Sequence, residues 1–137
     1  MDPIRVLVTD NCMEFAVLFK ERLEFYPGIK VVGIAHNGPH TLHLLSNSAV
    51  DVLLLVIVMP GMDGLELLQT ISESEIQPIV FIVSALGTDA IIRQALKLGA
   101  AGFFVKPVDC EKLAAAIGAA VTAKQINSQT LDSKTDI

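Results

Sequence analysis

Short runs of β-branched and other apolar residues alternate along this chain with longer segments whose apolar residues return at helical spacing, and that alternation restricts it to successive βα units. Ile4 to Thr9 reads as a first strand, and Phe15, Leu18, Phe19 and Leu23 then fall on one face of a helix that ends at Pro27-Gly28. Lys30 to Ala35 reads as a second strand. Asn37 turns the chain after it, and Pro39 fits the first turn of a short helix carrying Leu42, Leu44 and Leu45. Asp51 to Val58 is almost uniformly apolar, the pattern of a parallel strand buried on both faces. Beyond Met59-Pro60-Gly61, Asp63 precedes a helix with Leu65, Leu67, Leu68 and Ile71, and Pro78 to Ser84 forms a fourth strand. A helix with Ile92, Ala95, Leu96 and Leu98 follows Gly87. Gly102 to Val105 is the fifth strand, and a last helix runs from about Asp109, its expected N-cap, to Ala123.

Strands and helices joined this tightly require right-handed crossovers and an open parallel sheet covered on both faces. The expected organisation is one α/β domain over residues 1–123, followed by a polar segment, 124–137, read as a tail or the start of a linker. In such sheets sites gather at the carboxyl ends of the strands. That rule selects four loops: Thr9 to Cys12, Val56 to Asp63, Ser84 to Thr88 and Phe103 to Val108.

Composition narrows the function classes. At 137 residues one core suffices, and 52% hydrophobic against 18% charged residues excludes a disordered chain. The longest apolar stretch, Val52 to Pro60, is too short to cross a bilayer. A net charge of −5 with scattered Lys and Arg leaves no basic field for a nucleic acid. Cys12 and Cys110 lack CxxC or Cys/His spacing and no cleavable signal is visible, so the expectation is reduced thiols in a cytosolic protein. His36, His40 and His43 have no matched carboxylate or thiol and read as surface or boundary groups, with no metal site expected.

Five groups of residues carry a family resemblance: Asp10 after strand one, Met59-Pro60-Gly61-Met62-Asp63-Gly64 after strand three, Ser84-Ala85 after strand four, and Leu98-Gly99-Ala100 and Lys106-Pro107 around strand five. Over about residues 4–122 the chain resembles the receiver domain of two-component response regulators, the chemotaxis type included. Ala35-His36-Asn37-Gly38 and Asp51-Val52-Leu53 are further similar to receivers of sporulation regulators in endospore-forming bacteria. The resemblance implies a flavodoxin-like (βα)5 fold with strand order 2-1-3-4-5. It also implies an acidic pair and a strand-three aspartate that bind Mg²⁺, the aspartate taking a phosphoryl group from phosphohistidine.

At the acidic pair this chain has Asp10-Asn11, and at the aspartate position it has Val56. Valine supplies neither a nucleophilic oxygen nor a metal ligand. No catalytic residue and no cofactor are therefore expected, and Mg²⁺ binding is in doubt. Ser84 stands at the family's phosphoryl-bonding hydroxyl, Phe103 at its switching aromatic, Lys106 at its phosphate-pairing lysine and Pro107 at its cis-proline turn. Each also has a plain structural role: Asp10 and Asp63 as helix caps, Ser84 as a local hydrogen-bonding group, Phe103 and Val56 as packing, Lys106 as a partner for Asp10.

The leading expectation is a non-enzymatic, phosphorylation-independent pseudo-receiver that binds a protein partner, a second copy through the last two helices and strand five included. The alanines of the last helix, Ala114, Ala115, Ala116, Ala119 and Ala120, suggest that surface. Alternatives are a receiver answering to non-covalent phosphate at Ser84 and Lys106, the regulatory part of a DNA-binding factor, and a flavin protein of the same topology.

Overall fold

The computed structural model describes residues 2–57 and 63–135, with side chains described through residue 126. Ten elements alternate: β1 Ile4–Thr9, α1 Met13–Glu24, β2 Ile29–Ala35, α2 Gly38–Asn47, β3 Val52–Val56, α3 Gly64–Ser72, β4 Ile79–Ser84, α4 Asp89–Lys97, β5 Gly102–Val105 and α5 Cys110–Thr135. The strands form one parallel sheet in the order β2-β1-β3-β4-β5, the flavodoxin-like (βα)5 arrangement expected from the sequence.

Alternation along the central strands builds two cores. Leu53 and Leu55 of β3 join Leu67, Leu68, Ile71 and Ala95 beneath α3 and α4, while Val52 and Leu54 join Ala16, Phe19, Leu23, Leu113 and Ile117 beneath α1 and α5. All five residues of β3 are buried, which is why that strand needs an unbroken apolar run rather than an alternating one. The edge strand β2 carries a bulge, its register against β1 shifting between Val6 and Leu7. Such a shift twists an edge away from further pairing.

Polar side chains start the helices where the sequence suggests. Asn37 Oδ1 accepts from the His40 N–H at 2.8 Å, and Asp63 Oδ1 accepts from the Glu66 N–H at 2.9 Å. Asp109 Oδ1 accepts from the N–H groups of Glu111 and Lys112 at 3.0 and 3.2 Å. Each satisfies helix donors that would otherwise lack a partner.

Several expectations change. β3 is shorter than Asp51 to Val58. Asp51 lies just before the strand, its N–H donating to the Arg5 carbonyl and its carboxylate accepting from Arg5, and past the strand the Ile57 carbonyl accepts from the Gly64 N–H; Val58 lies outside the described residues. Leu18 and Leu96 are exposed, because the buried stripes of α1 and α4 are centred on Ala16, Phe19 and Leu23 and on Ala95. The last helix continues past Ala123 to Thr135: loss of apolar periodicity removes a face to bury, but Lys and Gln remain good helix formers and no Gly or Pro follows Gly118 to stop it. Ala116 and Ala120 pack against the α1/α5 core rather than forming free surface, whereas Ala115 and Ala119 are exposed. No helix among the described residues is long and apolar enough to cross a membrane.

Candidate functional site

The register brings the carboxyl ends of four strands level. Thr9 of β1 pairs with Leu55 of β3, Val56 with Val83 of β4, and Ser84 with Val105 of β5. One step beyond those pairs lie Asp10, Val56 as the last residue of β3, Ser84 and Lys106, so the parallel sheet gathers residues scattered over the sequence at one rim.

Asp10 is the chemical centre of this rim. It is 1% exposed, and its backbone N–H donates to the Ala35 carbonyl at 3.0 Å, which holds the residue in line with β1 and β2. Its Oδ1 accepts from the Cys12 N–H at 2.9 Å. Its Oδ2 is buried without a hydrogen-bond partner and lies 3.7 Å from Lys106 Nζ. That separation is an ion-pair contact too long for a hydrogen bond, so charge is balanced while a lone-pair direction stays unused. Asp10 does not cap α1: the N-cap position is Cys12, whose side chain makes no cap bond, and Asn11 is exposed.

Ser84 is buried at the end of β4, and its Oγ accepts from the Leu86 N–H at 3.0 Å, stapling the start of the β4–α4 loop. Its carbonyl accepts from the Lys106 N–H at 2.8 Å, which fixes the backbone from which the lysine reaches toward Asp10. The Lys106–Pro107 peptide is cis. Phe103 is half-buried and packs against the α3/α4 core, and Val56, 9% exposed, belongs to the same cluster. Met59-Pro60-Gly61-Met62 lie outside the described residues. Gly64 beyond them approaches β3 so closely that a Cβ there would sit 2.6 Å from the Val56 carbonyl oxygen, a space only glycine can occupy.

One residue of the rim escaped the sequence reading. Phe15 of α1, expected simply on the buried face of the helix, carries the Lys106 ammonium 4.0 Å from its ring centroid. The i to i+4 spacing of Phe15 and Phe19, stacked at 5.4 Å, was visible in the sequence; its partner across the fold was not.

A hard dication needs several oxygen ligands. Asp10 offers one free carboxylate oxygen already facing an ammonium group, Asn11 is an exposed neutral amide, and Val56 has no donor atom. Among the described residues no group of three or more His, Cys, Asp or Glu side chains could hold a metal ion. Among the described residues the donor set does not fit Mg²⁺. The histidines pair locally: His40 Nδ1 accepts from the His36 N–H at 3.3 Å, and His43 lies beside Asn47. Both cysteines are free, and burial pushes the Cys110 thiol pKa up.

Residues 6–118 match the response regulator receiver domain family. Among solved structures, the chain is similar to the signal receiver domain of NarL from Mycobacterium tuberculosis, at 32% identity over 89% of this chain and 98% of that one, with a TM-score of 0.83. It is similar to the receiver domain of the Francisella response regulator 1452, at 28% identity over 88% and 98% of the two chains, with a TM-score of 0.81. A third likeness is to the Borrelia burgdorferi structure of CheY with CheX, BeF3 and magnesium, at 29% identity over 87% and 90%, with a TM-score of 0.79. With the sheet order, the strand-end rim and these matches in agreement, the chain belongs to the response regulator receiver domain family of two-component signalling.

Proposed function

We propose that this receiver signals through its surfaces and not through an acyl phosphate. The observation that carries this reading is Val56 at the end of β3, one step past the Thr9–Leu55 pair as Asp10 is on the β1 side, where the family resemblance calls for the phosphoryl-accepting aspartate. An aliphatic side chain cannot attack phosphorus, and without a second or third carboxylate there is too little negative charge to hold the magnesium that phosphoryl transfer uses. No residue of the rim is assigned a catalytic role.

The remaining rim groups are engaged internally. Lys106 faces Asp10, and Ser84 Oγ holds the Leu86 N–H. This engagement favours the surface reading over one in which Ser84 and Lys106 wait for free phosphate. The partner is a protein, as CheY is found with CheX in the third relative. A second copy of this chain is the first candidate, through α4, β5 and α5, where Leu96, Val105, Ala115 and Ala119 are all exposed. Apolar side chains left on one flank of a domain mark such contacts.

The test is incubation of the protein with a small-molecule phosphodonor and Mg²⁺, followed by intact mass and by sedimentation. The expected result is an unmodified mass, with an association state that does not respond to the donor. A stable singly phosphorylated species overturns the reading.

A further inference from the structure

We infer that Phe15 is a positioning residue for Lys106, the element that holds the rim's cation against Asp10 in a receiver with no metal or phosphoryl group to organise it. The inference rests on the surface-signalling reading for its purpose, though not for its geometry.

The Asp10–Lys106 contact alone does not fix the lysine. At 3.7 Å it lacks the directionality of a hydrogen bond, and a lysine side chain has four flexible carbons with which to leave. The second contact supplies the missing restraint. The ammonium lies 4.0 Å from the Phe15 centroid, within the range of a cation–π interaction, and the lysine side chain is only 26% exposed, so water competes weakly. Phe15 is itself held: it stacks on the buried Phe19 at 5.4 Å with ring planes 22° apart. It also lines a groove with Leu18, Arg22, Pro107 and Val108, so its ring touches residues of both α1 and the β5–α5 connection. The chain from Phe19 through Phe15 to Lys106 and Asp10 ties α1 to the β5–α5 connection. It gives that part of the surface one resting arrangement.

Two readouts test this. The ring should shift the Lys106 ε-methylene protons upfield of those of the exposed lysines, and Phe15→Leu should abolish the shift while Phe15→Trp retains it. A double-mutant cycle of Phe15→Leu with Lys106→Met, read by denaturant unfolding, should show coupling of about fivefold in the unfolding constant, as expected for a cation–π pair. In the Phe15→Trp background the coupling to Lys106 should persist. Lys106 resonances indistinguishable from those of exposed lysines, or strictly additive substitutions, would overturn the assignment. Should Phe15→Leu not fold, the methylene shift in the unsubstituted protein and in Phe15→Trp decides alone. A phosphorylated species in the mass measurement would sink the functional reading and leave these results standing, so the two failures are separable.

Discussion

The sheet carries an acid–base pair at each end, and the two are built differently. At the amino end, Arg5 and Asp51 are both open to water, yet every contact is short. The Arg5 backbone N–H donates to Asp51 Oδ2 at 2.9 Å, and the guanidinium Nε and Nη2 donate to Oδ2 and Oδ1 at 3.1 Å each. At the carboxyl end, Asp10 and Lys106 are buried or nearly so, lie 3.7 Å apart, and leave Asp10 Oδ2 without a hydrogen bond. A fixed, bidentate arginine closes a structural pair; a point-charge lysine leaves a pair open. Stability is therefore delivered cheaply at the amino end, while the carboxyl end keeps a buried charge whose partner is not fully bonded to it. The surface-signalling proposal reads this as a rim retained from a site, with its charge balanced internally.

The largest expected effect follows from burial. Lys106→Met should cost roughly 3 kcal/mol, because it strands a buried carboxylate, and Asp10→Asn in that background should return much of the loss. Chemical unfolding of the four proteins checks this; a small loss in Lys106→Met would erase the contrast between the ends. Gly64→Ala should cost about 2 kcal/mol, since its Cβ would stand 2.6 Å from the Val56 carbonyl oxygen where backbone must move. Thermal unfolding reads it, and a neutral result would mean that the rim yields more readily than its packing implies. Val56→Asp alone should cost on the order of 1–2 kcal/mol at neutral pH, from a desolvated carboxylate beside Asp10, and the loss should shrink in acid as that group is protonated.

The amino-end pair should respond least. Asp51→Asn should cost about 0.5 kcal/mol at pH 7 and less in high salt. The hydrogen bond from Arg5 holds the Asp51 carboxyl below its ordinary value of 3.8. A carboxyl depressed in the folded state adds stability above its ordinary pKa and loses that contribution as pH falls through the folded value. The gap between the two proteins should thus be full near neutrality and close in acid. A gap that widens on acidification would contradict the assignment.

The carboxyl-end half of this contrast was legible in the residues; the Arg5–Asp51 pair was not. A run such as Val52 to Val56 has no use except between two helical layers, and once the strands are parallel their carboxyl ends must bring Asp10, Val56, Ser84 and Lys106 to one rim. The pairing of Lys106 with Asp10 followed from the family resemblance, which sets a lysine at that rim, and from the absence of a carboxylate at Val56. What escaped depended on rotation and reach. Helical spacing places Phe15 and Leu18 near the apolar side of α1 but cannot say that the buried stripe is centred on Ala16, leaving Leu18 in water and turning Phe15 toward a lysine from β5's far end. The continuation of α5 to Thr135 was missed for a related reason: the apolar periodicity stops near Ala123, while residues that favour helix continue beyond it.

The most direct test of the central claim is restoration of the carboxylates. Asn11→Asp with Val56→Asp, incubated with phosphodonor and Mg²⁺ beside the unsubstituted protein, should gain one acid-labile phosphoryl group by intact mass while the unsubstituted protein gains none. Phosphorylation of the unsubstituted protein to the same extent would contradict the account.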